Sequence, residues 1–151
     1  MGIRERVREV FLAPQAVYEV PAAADLLGWS LAEIGAAIAN GELEATGTGS
    51  CQGIAWREVA AMMTAQYPQA TIEEALGAET EAVMPELVRL SELRVAIPRY
   101  EVAMLGRLAE RERITVDEFL SRHLLDLASS ECEWLAGAIP GFSVAMRWPE
   151  R

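Results

Sequence analysis

The residue types that most often do chemistry are sparse in this chain and poorly spaced for it. Cys51 and Cys132 lie 81 positions apart, and His123 is the single histidine. Two thiols and one imidazole fall short of the four ligands of a structural zinc site within one chain. No His or Arg adjoins Cys51 in sequence to lower its pKa, so free thiols in a reducing cytoplasm are expected. His123 shares a helical apolar stripe, where an imidazole is expected to bond a backbone carbonyl rather than serve as a base. The acid pairs Glu73-Glu74 and Asp117-Glu118 follow Thr71 and Thr115 at capping and first-turn positions, where carboxylates favour the helix dipole. The segment Gly47–Gly53 is rich in glycine, but its third glycine is displaced by one position from a dinucleotide-binding loop and it leads into a strand. No triad, metal cluster or phosphate loop is assembled. The chain is expected not to be an enzyme and to need no cofactor.

The remaining candidates are arginines. All 13 basic side chains are Arg, set against 23 acidic ones, for a net charge of −10. That excess excludes wholesale coating of nucleic acid, so any DNA contact must use a local basic surface, and a basic protein partner fits better. Residues 89 to 113 form such a locality, with six Arg against four Glu. Within it Leu93, Val95 and Ile97 alternate with Glu92, Arg94 and Ala96, which predicts one half-buried strand closed by Pro98. Arg94 is the one side chain there able to bond a guanine edge bidentately, a pairing that discriminates by about 1–3 kcal/mol.

Two helices are expected to follow. One spans about Arg99 to Glu112, with Tyr100, Met104, Leu105 and Leu108 on one side. The other opens at a Thr115–Glu118 capping box and places Val116, Phe119, Leu120, His123, Leu124 and Leu127 on one continuous stripe. A lone strand leaves its backbone donors and acceptors unpaired on both edges, and pairing with the same strand of a second chain is the simplest remedy. Residues 92–128 resemble a ribbon-helix-helix unit of the CopG/Arc-like kind, found in small dimeric repressors and many antitoxins. The residues that carry the resemblance are Arg94 to Tyr100 and Ile114 to Leu120. It implies a homodimer on Leu93, Val95, Ile97, Phe119, Leu120 and Leu124. It also implies operator DNA contacted by Arg94, Ala96, Arg99 and Thr115, with a phosphate at the Thr115 helix N-terminus.

Upstream, helices are expected over 3–12, ended by Pro14, over 21–27, closed by Gly28, and over 31–40 after a Ser30–Glu33 capping box. Short strands over 42–46 and 52–56, a helix over 57–66 and a Thr71–Glu74 capping box complete this part. Residues 18 to 63 resemble the helix-turn-helix and wing of MerR- or excisionase-type proteins, on Tyr18, Val20 to Gly28, Ile38 to Ala45 and Ile54 to Val59. The expected recognition helix departs from that pattern. It is read as burying Leu31, Ile34 and Ile38 and as offering Ala32, Glu33, Gly35, Ala36 and Ala39 elsewhere, with no Arg in the wing tip. Such a surface reads DNA poorly, and the module is expected to have kept the fold for a protein contact.

The chain's 151 residues, 52% apolar and 24% charged, suit two small modules. The expected fold is mainly α: a helix-turn-helix module with a small β wing over 1–77, a connector over 78–91, the dimerisation and DNA-binding unit over 92–128, and an apolar tail over 129–151. Neither a membrane span nor a signal segment is read, which suggests a cytoplasmic protein. An apolar tail of this kind either folds back onto its own domain or lies across a partner's groove, and Trp134, Phe142, Met146, Arg147 and Trp148 are expected as partner anchors. The combination resembles type II antitoxins, which implies a cognate toxin, of the PIN-type ribonuclease kind for example, with Arg147 or Arg151 entering its acidic active site. The alternatives are a dimeric transcription factor without a toxin and an adaptor that binds no DNA.

Overall fold

The computed structural model describes residues 1–47 and 52–149. It is mainly helical, with one small three-stranded antiparallel sheet in the N-terminal half. The chain divides into two compact units. One is Met1–Leu90 with the chain's end from Ala145; the other is Ser91–Val144.

The first unit opens with α1 (Ile3–Leu12), whose Val7, Val10 and Phe11 are buried at helical spacing. Strand β1 (Val17–Glu19) leads directly into α2 (Val20–Leu27), which buries Ala23, Ala24, Leu26 and Leu27. Gly28 ends α2 in the left-handed region, with φ +71°. The backbone favours glycine here, and a Cβ would also have to displace the Arg6 guanidinium. After Trp29, Ser30 caps α3 (Leu31–Ala39), and the capping box with Glu33 forms in both directions. The chain bends by 106° between α2 and α3.

Strands β2 (Ala45–Thr46) and β3 (Gly53–Ala55) follow, with β3 at the centre of the sheet. Ile54 lies opposite Tyr18 on one side and Ala45 on the other. Strand β1 is thus a full member of the sheet. Gly53 is required for a different reason: a Cβ there would meet Val17 Cγ1 at 2.5 Å. Helix α4 (Trp56–Gln66) buries Trp56, Val59, Ala60 and Met63, and Trp56 Nε1 donates to the Val10 carbonyl at 2.6 Å.

Helix α5 (Gln69–Leu76) starts after Pro68, two residues before the expected cap. Thr71 therefore lies inside the helix, and the Thr71–Glu74 capping box does not form; the preceding proline supplies the start instead. Arg8 holds the end of α5 by donating to the Ala75 and Leu76 carbonyls and by pairing with Glu79 at 2.9 Å.

The stretch read as a connector is also part of this unit. It forms short turns around α6 (Thr80–Val83), and Met84 is buried in the core with Val83 and Val88 packed against it. Gln69 donates to the Val88 carbonyl, Leu90 N donates to Glu73 at 2.7 Å, and Arg89 pairs with Glu81 at 3.1 Å. Periodicity misses this stretch because each contact comes from a single side chain rather than a repeating face.

The second unit contains α7 (Arg99–Glu112), α8 (Val116–Ser130) and α9 (Cys132–Ala138). Arg113 turns the chain between α7 and α8 with φ +60°. Residues 91–98 are neither helix nor strand in the single chain. The strand expected over this segment is therefore not formed in the single chain. Helix α10 (Phe142–Arg147) precedes the chain's end.

Among the described residues no single helix is long and apolar enough to cross a membrane.

Candidate functional site

The expected ribbon presents its side chains to solvent on both sides. The Arg94 side chain is 93% exposed and only loosely paired with Glu92, at 3.7 Å. Ala96 and Arg99 are exposed beside it, Arg99 as the first residue of α7. The apolar partners in the alternation are just as open, with Leu93 83% and Val95 63% exposed, and Ile97 exposed as well.

Thr115 is the N-cap of α8, and its Oγ1 accepts from the Glu118 backbone N–H at 3.2 Å. The expected capping box is only half formed. The Glu118 carboxylate turns instead along the helix to Arg122, at 2.6 Å. An i,i+4 acid–base pair on an exposed face competes with the return bond to the cap residue. With Asp117 and Glu118 in the first turn, the helix end also carries two negative charges where an anion would sit.

Helix α8 carries the stripe read from the sequence, but one helix covers little of it. Phe119 is buried, together with Ala109 of α7. Leu120, Leu124 and Leu127 remain exposed, as do Tyr100, Val102 and Met104 on α7. His123 Nδ1 lies 2.9 Å from the Phe119 carbonyl, and its ring tilts over Phe119 at 4.1 Å between centroids. The imidazole has the carbonyl partner expected for it, although the residue is exposed rather than in a core.

The expected partner-binding tail divides. Trp134 on α9 is 69% exposed, Phe142 and Met146 on α10 are half-buried, and Arg147 closes α10. Trp148 packs on the core of the first unit instead, stacked on Phe11 at 5.4 Å and 12°. Pro149, next to it, is buried. Arg151 and Cys51 lie outside the described residues; Cys132 is a free thiol.

Helix α3 shows one difference from the expected register. Ile34 and Ala37 are buried and Ile38 is half-buried, but Leu31 is 61% exposed. The inward face runs through positions 34, 37 and 38, and at 100° per residue position 31 falls on its edge. The outward face is Ala32, Gly35, Ala36 and Ala39, all exposed. Between Arg8 and Arg57 the sequence has no basic residue at all, while Glu9, Glu19, Asp25, Glu33, Glu42 and Glu44 are acidic. Glu33 is held below its ordinary value of 4.5 by hydrogen bonds from the Ser30 backbone and hydroxyl.

Among the described residues no three His, Cys, Asp or Glu side chains gather into a group that could hold a metal ion. Compared with protein-family models, curated proteins and solved structures, the chain matches none of them.

Proposed function

We propose that this chain is an antitoxin-like DNA-binding autorepressor that dimerises through residues 92–128 and neutralises a cognate toxin through its tail. One observation carries the reading: the second unit has almost no interior of its own. Of its described side chains only Ala109 and Phe119 are buried hydrophobics, while apolar residues of the 93–97 segment, α7 and α8 stand open. Burying a large apolar side chain contributes roughly 1.5–3 kcal/mol, so a second copy that covers these faces supplies the missing core. The same pairing joins the two 93–97 segments into a ribbon whose outward Arg94 side chains face operator DNA, with Arg99 and Thr115 at the backbone. Exposed Trp134 suits the toxin-binding role of the tail, and the protein's acidity suits a basic toxin. The cytoplasm is the expected compartment.

A second reading, an adaptor that does not bind DNA, is favoured by the first unit. Its 106° helix pair with a three-residue turn and an adjoining sheet supports the likeness to a winged helix-turn-helix. Yet residues 18–56, the part that would meet DNA, carry five carboxylates and no cation.

Mobility-shift titrations of the full chain over a salt series separate the two. A steep loss of affinity with salt supports the repressor, and absence of binding at low salt leaves the adaptor. Pull-downs with the full chain and with a chain ending at Ser129 test the toxin. A small basic protein held only by the full chain is the expected result, and equal retention by both baits removes the tail's role.

A further inference from the structure

We infer that the end of the chain is a strap that closes over α1 through Trp148 and has to open before the whole tail can take a partner. The inference rests on the reading of the tail as a binding arm. Its structural part stands on an aromatic column within the first unit: the Trp148 indole lies parallel to the Phe11 ring at 5.4 Å, and Phe11 presents its edge to Trp56 at 6.3 Å and 90°. Trp56 is fixed in turn by its 2.6 Å bond to the Val10 carbonyl, one residue from Phe11. Phe11 is 2% exposed, and the stacked indole covers one of its two faces.

The two tryptophans of the tail are therefore in different states. Trp134 is available in the free protein, whereas Trp148 already has a partner of its own chemistry. A binding arm whose anchor is occupied binds in two steps, and its apparent affinity falls by the fraction of molecules in which the anchor is free. Linkage makes the effect reciprocal: whatever draws Trp148 away uncovers Phe11 and loosens α1. Partner capture at the tail is thereby coupled to the stability of the N-terminal unit, without any contact between the partner and α1.

The test uses the full chain labelled with 5-fluorotryptophan, which gives one fluorine signal for each of four tryptophans, Trp29, Trp56, Trp134 and Trp148. Trp148→Phe assigns its signal. In the free protein the Trp148 signal is expected to be displaced by the Phe11 ring and clearly less sensitive than that of Trp134 to exchange of water for D2O, since Trp148 is half-buried and Trp134 exposed. Phe11→Leu is expected to move the Trp148 signal to the solvent-sensitive position while Trp29 and Trp56 stay dispersed. A Trp148 signal as solvent-sensitive as that of Trp134 in the unaltered protein overturns the strap.

If Phe11→Leu unfolds the unit, collapse of the Trp29 and Trp56 signals reveals it, and hydrogen exchange in Trp148→Ala decides. Amides of the last turn of α1 are expected to exchange about tenfold faster, the scale of one aromatic pair, and unchanged exchange overturns the inference. Failure of the antitoxin reading would look different: no specific toxin would be captured, and these spectra would be unaffected.

Discussion

At the scale of single residues, the first unit depends on a few positions where one atom more or less decides the outcome. Gly28 and Gly41 both have positive φ, +71° and +75°, but a side chain at 41 meets open space whereas one at 28 meets the Arg6 guanidinium. Ala in the left-handed region costs about 1–2 kcal/mol. Gly41→Ala is expected to show that backbone cost alone in a urea melt. Gly28→Ala should lose distinctly more, because Arg6 must also leave its bond to the Tyr67 hydroxyl. Equal losses would mean that Arg6 has no part in the turn. Charge at single residues gives the unit its response to acid. Glu79 lies below its ordinary value of 4.5 because of its bonds with Arg8, and Glu33 because of Ser30. A carboxyl whose folded pKa is lowered contributes stability above its unfolded value and loses it as pH falls through the folded one. Urea melts between pH 7 and pH 3 should therefore lose stability from about pH 4.5 downward, and Glu79→Gln should flatten that fall. A slope unchanged in Glu79→Gln would remove the Arg8–Glu79 pair from the account.

At the scale of elements, the sequence and the structure agree where a face repeats and part where single contacts decide. The Ser30 cap, the interior positions of α1 and the stripe of α8 follow from periodicity and capping chemistry. The start of α5 was not legible at Thr71, because Pro68 opens the helix earlier. Leu31 looks inward by hydropathy, but the neighbours of α3 reach only positions 34, 37 and 38. Residues 78–90 hold no repeating pattern, and their place in the first unit is set by Met84, Gln69 and Glu73. The tail's composition indicates burial without saying where, and it took coordinates to seat Trp148 on Phe11. The 92–97 segment is the opposite case. Its alternation is clear, yet the single chain forms no ladder there. Val95→Glu places a charge on the proposed dimer face and is expected to convert the protein to monomer in sedimentation at micromolar concentration. Arg94→Ala leaves that face intact, so it should remain dimeric and lose about 1–3 kcal/mol of discrimination at the base it reads. Dimer retained in Val95→Glu, or specificity retained in Arg94→Ala, would remove the corresponding half of the ribbon proposal.

At the scale of the whole molecule, charge is distributed unevenly along the chain, and this bears on which unit meets DNA. Six arginines against four glutamates lie within residues 89 to 113, whereas the whole stretch from Glu9 to Trp56 has no basic residue. Phosphate neutralisation releases counterions, and each contact adds roughly −0.9 to the slope of log affinity against log salt. The observed slope should then be small for a protein of this size and should come from the second unit. Ala36→Arg tests the division directly. The substitution places a cation on the outward face of α3, the position from which a helix-turn-helix would read a groove. If that face is turned to a protein partner, DNA affinity and salt slope are expected to stay as they were while capture of that partner weakens. A steeper slope and tighter DNA binding, with the dimer undisturbed, would show that α3 lies against the duplex after all. The acidity of the first unit would then be a repulsion that the second unit has to overcome, rather than the mark of a different partner.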